Sequence, residues 1–111
     1  MTDYKLFNKD VIVYSGQDTI VKLTPIGLDG WKFNPADLDI TGFVYRPGDD
    51  IGIYNQAIVI SNGVGTIPYD PERRFDYSYR YNLYVTEDGQ RKLFQFGNVI
   101  FKNEHREPNV G

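Results

Sequence analysis

Between residues 77 and 101 the chain alternates apolar and polar side chains with a period of two. Tyr77, Tyr79, Tyr81, Leu83 and Val85 fall on one side, and Ser78, Arg80, Asn82 and Thr86 on the other. A helix would spread these residues around its circumference, whereas an extended strand sends all of the first set to one face. Glu87-Asp88-Gly89-Gln90 follows, with a glycine that can take positive φ, and Leu93, Gln95, Gly97, Val99 and Phe101 resume the alternation. This is the pattern of a long β-hairpin with a well-specified register.

The rest of the chain reads the same way. Turn signals recur at short intervals between runs of Val, Ile, Tyr, Phe and Thr, and no sustained 3.6-residue period is present. Strands are expected near Lys5 to Tyr14, Asp18 to Thr24, Asp39 to Arg46, Asn55 to Ser61, Gly65 to Tyr69, Asp76 to Thr86 and Gln90 to Lys102. With 111 residues available, one core is the limit. The expected fold is a single all-β domain over residues 1–102, a two-sheet antiparallel β-sandwich of immunoglobulin-like type with about seven strands. Two single helical turns are expected besides, at Asn34-Pro35-Ala36-Asp37-Leu38 and at Asp70-Pro71-Glu72-Arg73-Arg74, each with a capping side chain followed by proline. Residues 103–111 have no apolar face and form a polar C-terminal tail, expected to be held by a neighbouring subunit or partner.

Composition removes several function classes. There is no cysteine, so thiolate metal sites, disulfides and cysteine nucleophiles are excluded. The net charge is −3 with Lys and Arg scattered, which gives no footprint for nucleic acid or an anionic membrane. No segment has the length and apolarity of a signal peptide or a membrane span.

Catalytic constellations are absent too. The one histidine, His105, lies in the polar tail, where no fixed nucleophile meets it. Asp37, Asp39, Asp49, Asp50, Glu87 and Asp88 all fall in turns, where carboxylates serve local backbone hydrogen bonds. Asp49-Asp50 lacks the alternating ligand spacing of a calcium loop, and Gly63 and Gly65 lack the strand-to-helix context of a phosphate site. No enzyme activity, metal or cofactor is expected.

The aromatic content of 15% exceeds what a core of this size holds, so some rings should lie at a surface. The Tyr77, Tyr79, Tyr81 stripe is expected in the core. Trp31, Phe33 and Tyr54 lie in or beside the long loops and are candidate partner-contact residues, with His105 and Arg106 in the tail. The competing reading of Trp31 is a plug over the end of the core.

Several of these segments together carry a likeness: Gly16-Gln17-Asp18-Thr19-Ile20-Val21-Lys22-Leu23, then Ile40-Thr41-Gly42-Phe43-Val44, then Gly65-Thr66-Ile67, and the hairpin from Tyr79 to Leu93 followed by Gly97-Asn98-Val99-Ile100-Phe101. In these the chain resembles β-sandwich virion proteins of tailed bacteriophages, in particular the N-terminal domain of baseplate upper proteins. The resemblance implies a structural or adaptor component of a phage or prophage virion, in its tail, neck, baseplate or capsid decoration. Made in the host cytoplasm, it would act through contacts with other virion proteins and with copies of itself, without nucleic acid or membrane. The alternative is a carbohydrate-binding or adhesin-type module whose exposed aromatics meet surface polysaccharide.

Overall fold

The computed structural model describes residues 2–47, 55–72 and 78–102. Nine strands lie among them: β1 (Phe7–Asn8), β2 (Val11–Tyr14), β3 (Thr19–Val21), β4 (Ile40–Tyr45), β5 (Asn55–Ala57), β6 (Val59–Ser61), β7 (Val64–Ile67), β8 (Tyr79–Glu87) and β9 (Gln90–Lys102). They form two sheets. The larger has the order β1-β9-β8-β4-β5, with β2 also on β9, and the smaller has the order β3-β7-β6. The protein is all-β, and the helical turn expected at residue 34 is a single 3₁₀ turn, Pro35–Asp37, whose cap Asn34 accepts a hydrogen bond from the Ala36 amide at 3.1 Å. At the second expected turn Asp70 accepts from the Glu72 amide at 2.9 Å, and Arg73-Arg74 lie outside the described residues.

The alternating hairpin supplies the centre of the core. Tyr79, Tyr81, Leu83 and Val85 of β8 are buried, with Ile40 and Val44 from β4, Val13 from β2, Val99 from β9, and Val21 and Ile67 from the smaller sheet; Phe101 packs against them partly buried. Asp88 and Gly89 have φ of 50° and 77°, which lets two residues reverse the chain between the paired Glu87 and Gln90. The alternation does not run unbroken through β9, however. Leu83 faces Gln95 while Tyr84 faces Leu93, so Phe94 is an extra residue and a β-bulge. The bulge turns Leu93 to the other face and buries Phe94 and Gln95 side by side, both 0% exposed.

Two expected strands are divided. The N-terminal run breaks at Lys9-Asp10, where the Lys9 carbonyl accepts a hydrogen bond from the Tyr81 hydroxyl, and Asp10 Oδ1 accepts one at 2.9 Å from the Asn98 amide. The backbone closes onto β9 here. A Cβ on Gly97 would stand 2.2 Å from the Lys9 carbonyl oxygen, so no larger residue fits. The second division is at Ile58, which is buried between β5 in one sheet and β6 in the other. A further difference concerns direction, since β1 and β2 pair with β9 in parallel. Nearly the whole domain separates these partners along the chain, so no local turn signal records their pairing.

Gln95 links the sheets. Its Oε1 accepts from the Thr24 amide at 3.1 Å and the Thr24 hydroxyl at 3.0 Å, while its Nε2 donates to the Lys22 carbonyl at 3.0 Å and the Tyr81 hydroxyl at 3.2 Å. The chain beyond β3 is thus paired by a side chain where a strand would otherwise be needed. Tyr77, Tyr54, the tail 103–111 with His105 and Arg106, and the Asp49-Asp50 pair all lie outside the described residues.

Candidate functional site

The long irregular segment of the sequence folds as a small hairpin. The Gly27 amide donates to the Trp31 carbonyl at 2.9 Å and the Phe33 amide to the Pro25 carbonyl at 3.0 Å; the Gly30 amide closes the turn onto the Gly27 carbonyl at 2.9 Å. Gly30 sits at φ +91°, which few other residues tolerate. The N-terminal segment adds a third strand-like layer, with Lys5 donating to the Ile26 carbonyl at 2.7 Å and Leu28 donating to the Asp3 carbonyl at 3.0 Å. Asp29 Oδ1 accepts from the Trp31 amide at 3.0 Å and fixes the tip.

This framework holds large apolar side chains in water. Trp31 is 65% exposed and Leu28 64% exposed, so Trp31 does not plug the core. Phe33, two residues on, is half-buried, its ring centroid 5.5 Å from that of the buried Tyr4. Together Thr2, Asp3, Leu28, Asp29, Trp31 and Phe33 line an open groove of about 370 Å³. Its mouth carries two carboxylates, and Lys92 Nζ approaches the Asp3 carboxylate at 3.7 Å while also donating to the Thr2 carbonyl.

Behind the groove, Tyr4 packs on the lining residue Phe33. The Tyr4 hydroxyl donates to Glu87 Oε1 at 2.6 Å, and the same carboxylate accepts from the Thr2 amide at 3.3 Å. Burial, reinforced by Glu87, pushes the Tyr4 hydroxyl up from 10.0 to about 12, and the hydrogen bond from Tyr4 holds Glu87 below the usual carboxylate range. The two shifts act at opposite ends of the pH scale. Because the Tyr4 value is raised on folding, its contribution to stability is complete below pH 10.0 and is lost as the pH rises through about 12. The depressed Glu87 contributes above its unfolded value and loses that contribution as pH falls through its folded one. Urea midpoints measured from pH 9 upward should therefore fall, and Tyr4→Phe, which cannot ionise, should flatten that fall; an unchanged slope in the variant would reject the assignment.

Of the sequence-derived contact residues, Trp31 and Phe33 share this groove, while Tyr54, His105 and Arg106 lie outside the described residues. Asp3, Leu28 and Asp29 were not legible as site residues, because what brings Asp3 to Leu28 is a backbone pairing between the N-terminus and a hairpin more than twenty residues away. Among the described residues no group of three or more His, Cys, Asp or Glu side chains is placed to hold a metal ion. A comparison with known protein families, curated proteins and solved structures finds no match to this chain.

Proposed function

We propose that this protein is a structural or adaptor component of a bacteriophage or prophage virion, an immunoglobulin-like sandwich that works by burying its exposed hairpin against another protein. The observation that carries the reading is Trp31. A pre-folded backbone keeps this indole in water, and such a rigid ring loses little entropy when a partner covers it. Leu28 beside it widens the apolar patch. The virion assignment is supported by the resemblance of the segments quoted above to baseplate upper proteins, and the immunoglobulin-like type by strand order. In that type the smaller sheet would correspond to B-E-D and the larger to G-F-C-C′.

Trp31→Ala separates the role from the fold. The side chain is 65% exposed, so the melting temperature should change little, within about ±0.5 kcal/mol of stability. Incorporation of the chain into virions from a producing host should drop at least tenfold, as expected for loss of a central anchor worth about 2 kcal/mol. Normal incorporation of the variant would sink the proposal. A second reading is favoured by Asp3 and Asp29 beside the indole, the pairing of a flat ring with hydrogen-bond acceptors that suits a pyranose. Trp31 is the single tryptophan, so its fluorescence reports on the groove directly. Saturable quenching by a neutral oligosaccharide, with no loss of virion incorporation in Trp31→Ala, would favour that reading instead.

A further inference from the structure

We infer that the outer face of the smaller sheet is where two copies of this chain pair, related by a two-fold axis that crosses the strands through Ile20, Thr66 and Val59. The inference goes beyond the Trp31 reading and does not depend on it. Strand register builds the face. Ile20 of β3 lies opposite Thr66 of β7, and Val59 of β6 lies opposite Thr66 on its other side, so one row crosses the whole sheet. The alternate residues Val21, Gly65 and Ile67 are buried, which turns this row away from the core. It stands in water: Ile20 is 71% exposed and Val59 52%, and Val64, two residues from Thr66 on the same face, is 43% exposed. A single exposed aliphatic carries no meaning, but three β-branched side chains adjoining on one sheet make an apolar patch.

The charges beside the patch identify its occupant. Asp18 and Lys22 continue the alternation on either side of Ile20, and both are exposed. Each stands two residues, or roughly 7 Å, along the strand from Ile20. A two-fold axis through the row reverses the strand direction, which sets Ile20 on Ile20 of the second copy and each Lys22 on the other copy's Asp18. The stripe Asp18-Ile20-Lys22 is therefore its own complement, an apolar centre between two symmetry-related ion pairs. Both charges are available for this. Among the described residues the Lys22 ammonium meets no carboxylate, and Asp18 gives one oxygen to the Tyr69 amide at 2.6 Å and keeps the other. Size is sufficient too. The domain is a two-layer slab 42 × 40 Å across and 21 Å thick, so a broad face holds the about 800 Å² a side of a standard interface. The outer face of the larger sheet is less open, because the Arg91 guanidinium already lies 4.6 Å over the Tyr84 ring and 5.9 Å over that of Phe43. Sheets packed face to face keep their strands within about 30° of each other, a tilt that the flexible Lys22 stem spans.

Sedimentation of the full chain over a concentration series, joined to cross-linking, tests this. The weight-average mass should rise toward twice that of one chain. Ile20→Glu should weaken the association at least tenfold while melting with the parent, because that side chain lies in water. Lys22→Glu and Asp18→Lys each set like charges together and should each weaken it as well. An equimolar mixture of those two variants should associate again, because the mixed pair brings opposite charges together at both sites. The chain has no cysteine, so single cysteines report the axis. Ile20→Cys should join to itself through a short bis-maleimide, and Val64→Cys, which stands off the axis, at least tenfold less. Trp31→Ala should associate as the parent does. A chain that stays monomeric to about millimolar concentration leaves this face to another protein and overturns the inference. An association untouched by Ile20→Glu, or a mixture no tighter than its two components, overturns it too. So does association lost in Trp31→Ala and kept in Ile20→Glu, which places the contact at the hairpin groove.

Discussion

Val85→Asp is expected to abolish folding. Val85 is 0% exposed and sits on β8 between Ile40 of β4 and Lys92 of β9, packed into the cluster that joins both sheets. A carboxylate there must either stay charged in an apolar layer or take up a proton, and either route costs several kcal/mol. The ammonium of Lys92, its cross-strand neighbour, is already engaged by the Thr2 carbonyl and Asp3. The whole stability of a small domain is about 5–15 kcal/mol, so the loss takes most or all of it. Circular dichroism and thermal melting check this, and a variant melting with the parent would mean that this face of β8 does not meet the core.

Gln95→Leu should be nearly as damaging, for the opposite reason. Leucine fills the volume and is more apolar, yet it leaves the Thr24 amide and the Lys22 carbonyl without their partner and removes a donor from the Tyr81 hydroxyl. A fully buried polar group stranded in this way costs about 1–3 kcal/mol; the two backbone groups here are part-buried, so a loss of roughly 2–4 kcal/mol is expected from them together. For a domain near this size that lowers the melting temperature by on the order of 10 °C or more. The apolar substitution at the neighbouring bulge residue, Phe94→Leu, is the control, because it changes packing without stranding a polar group. A Gln95→Leu variant as stable as the parent would show that water or a rearranged chain satisfies residues 22–24.

Glu87 and Asp3 illustrate why the candidate site was only half legible. Trp31 and Phe33 stand out as rings in a breaker-rich segment, and both do line the groove. The different fates of the two rings follow from where the N-terminal segment lies, since its Tyr4 packs on Phe33 and leaves Trp31 exposed. Asp3 enters through backbone pairing with Leu28. Glu87 reads from sequence as a turn residue, but it accepts from the Tyr4 hydroxyl and from the amide of the lining residue Thr2.

The sequence by itself determined the all-β class, the β8–β9 hairpin with its Asp88-Gly89 turn, the inward set Tyr79, Tyr81, Leu83 and Val85, and the capped turn at Asn34, because each is fixed by neighbours within a few residues. Only the tertiary structure decided the parallel pairing of β1 and β2 with β9, the bulge at Phe94, the break at Lys9, the burial of Gln95 and the exposure of Trp31. These depend on which distant backbone groups meet: a polar glutamine is stable in the core only where residues 22–24 lack a strand partner, and the N-terminal run is cut at the residue whose carbonyl the Tyr81 hydroxyl captures.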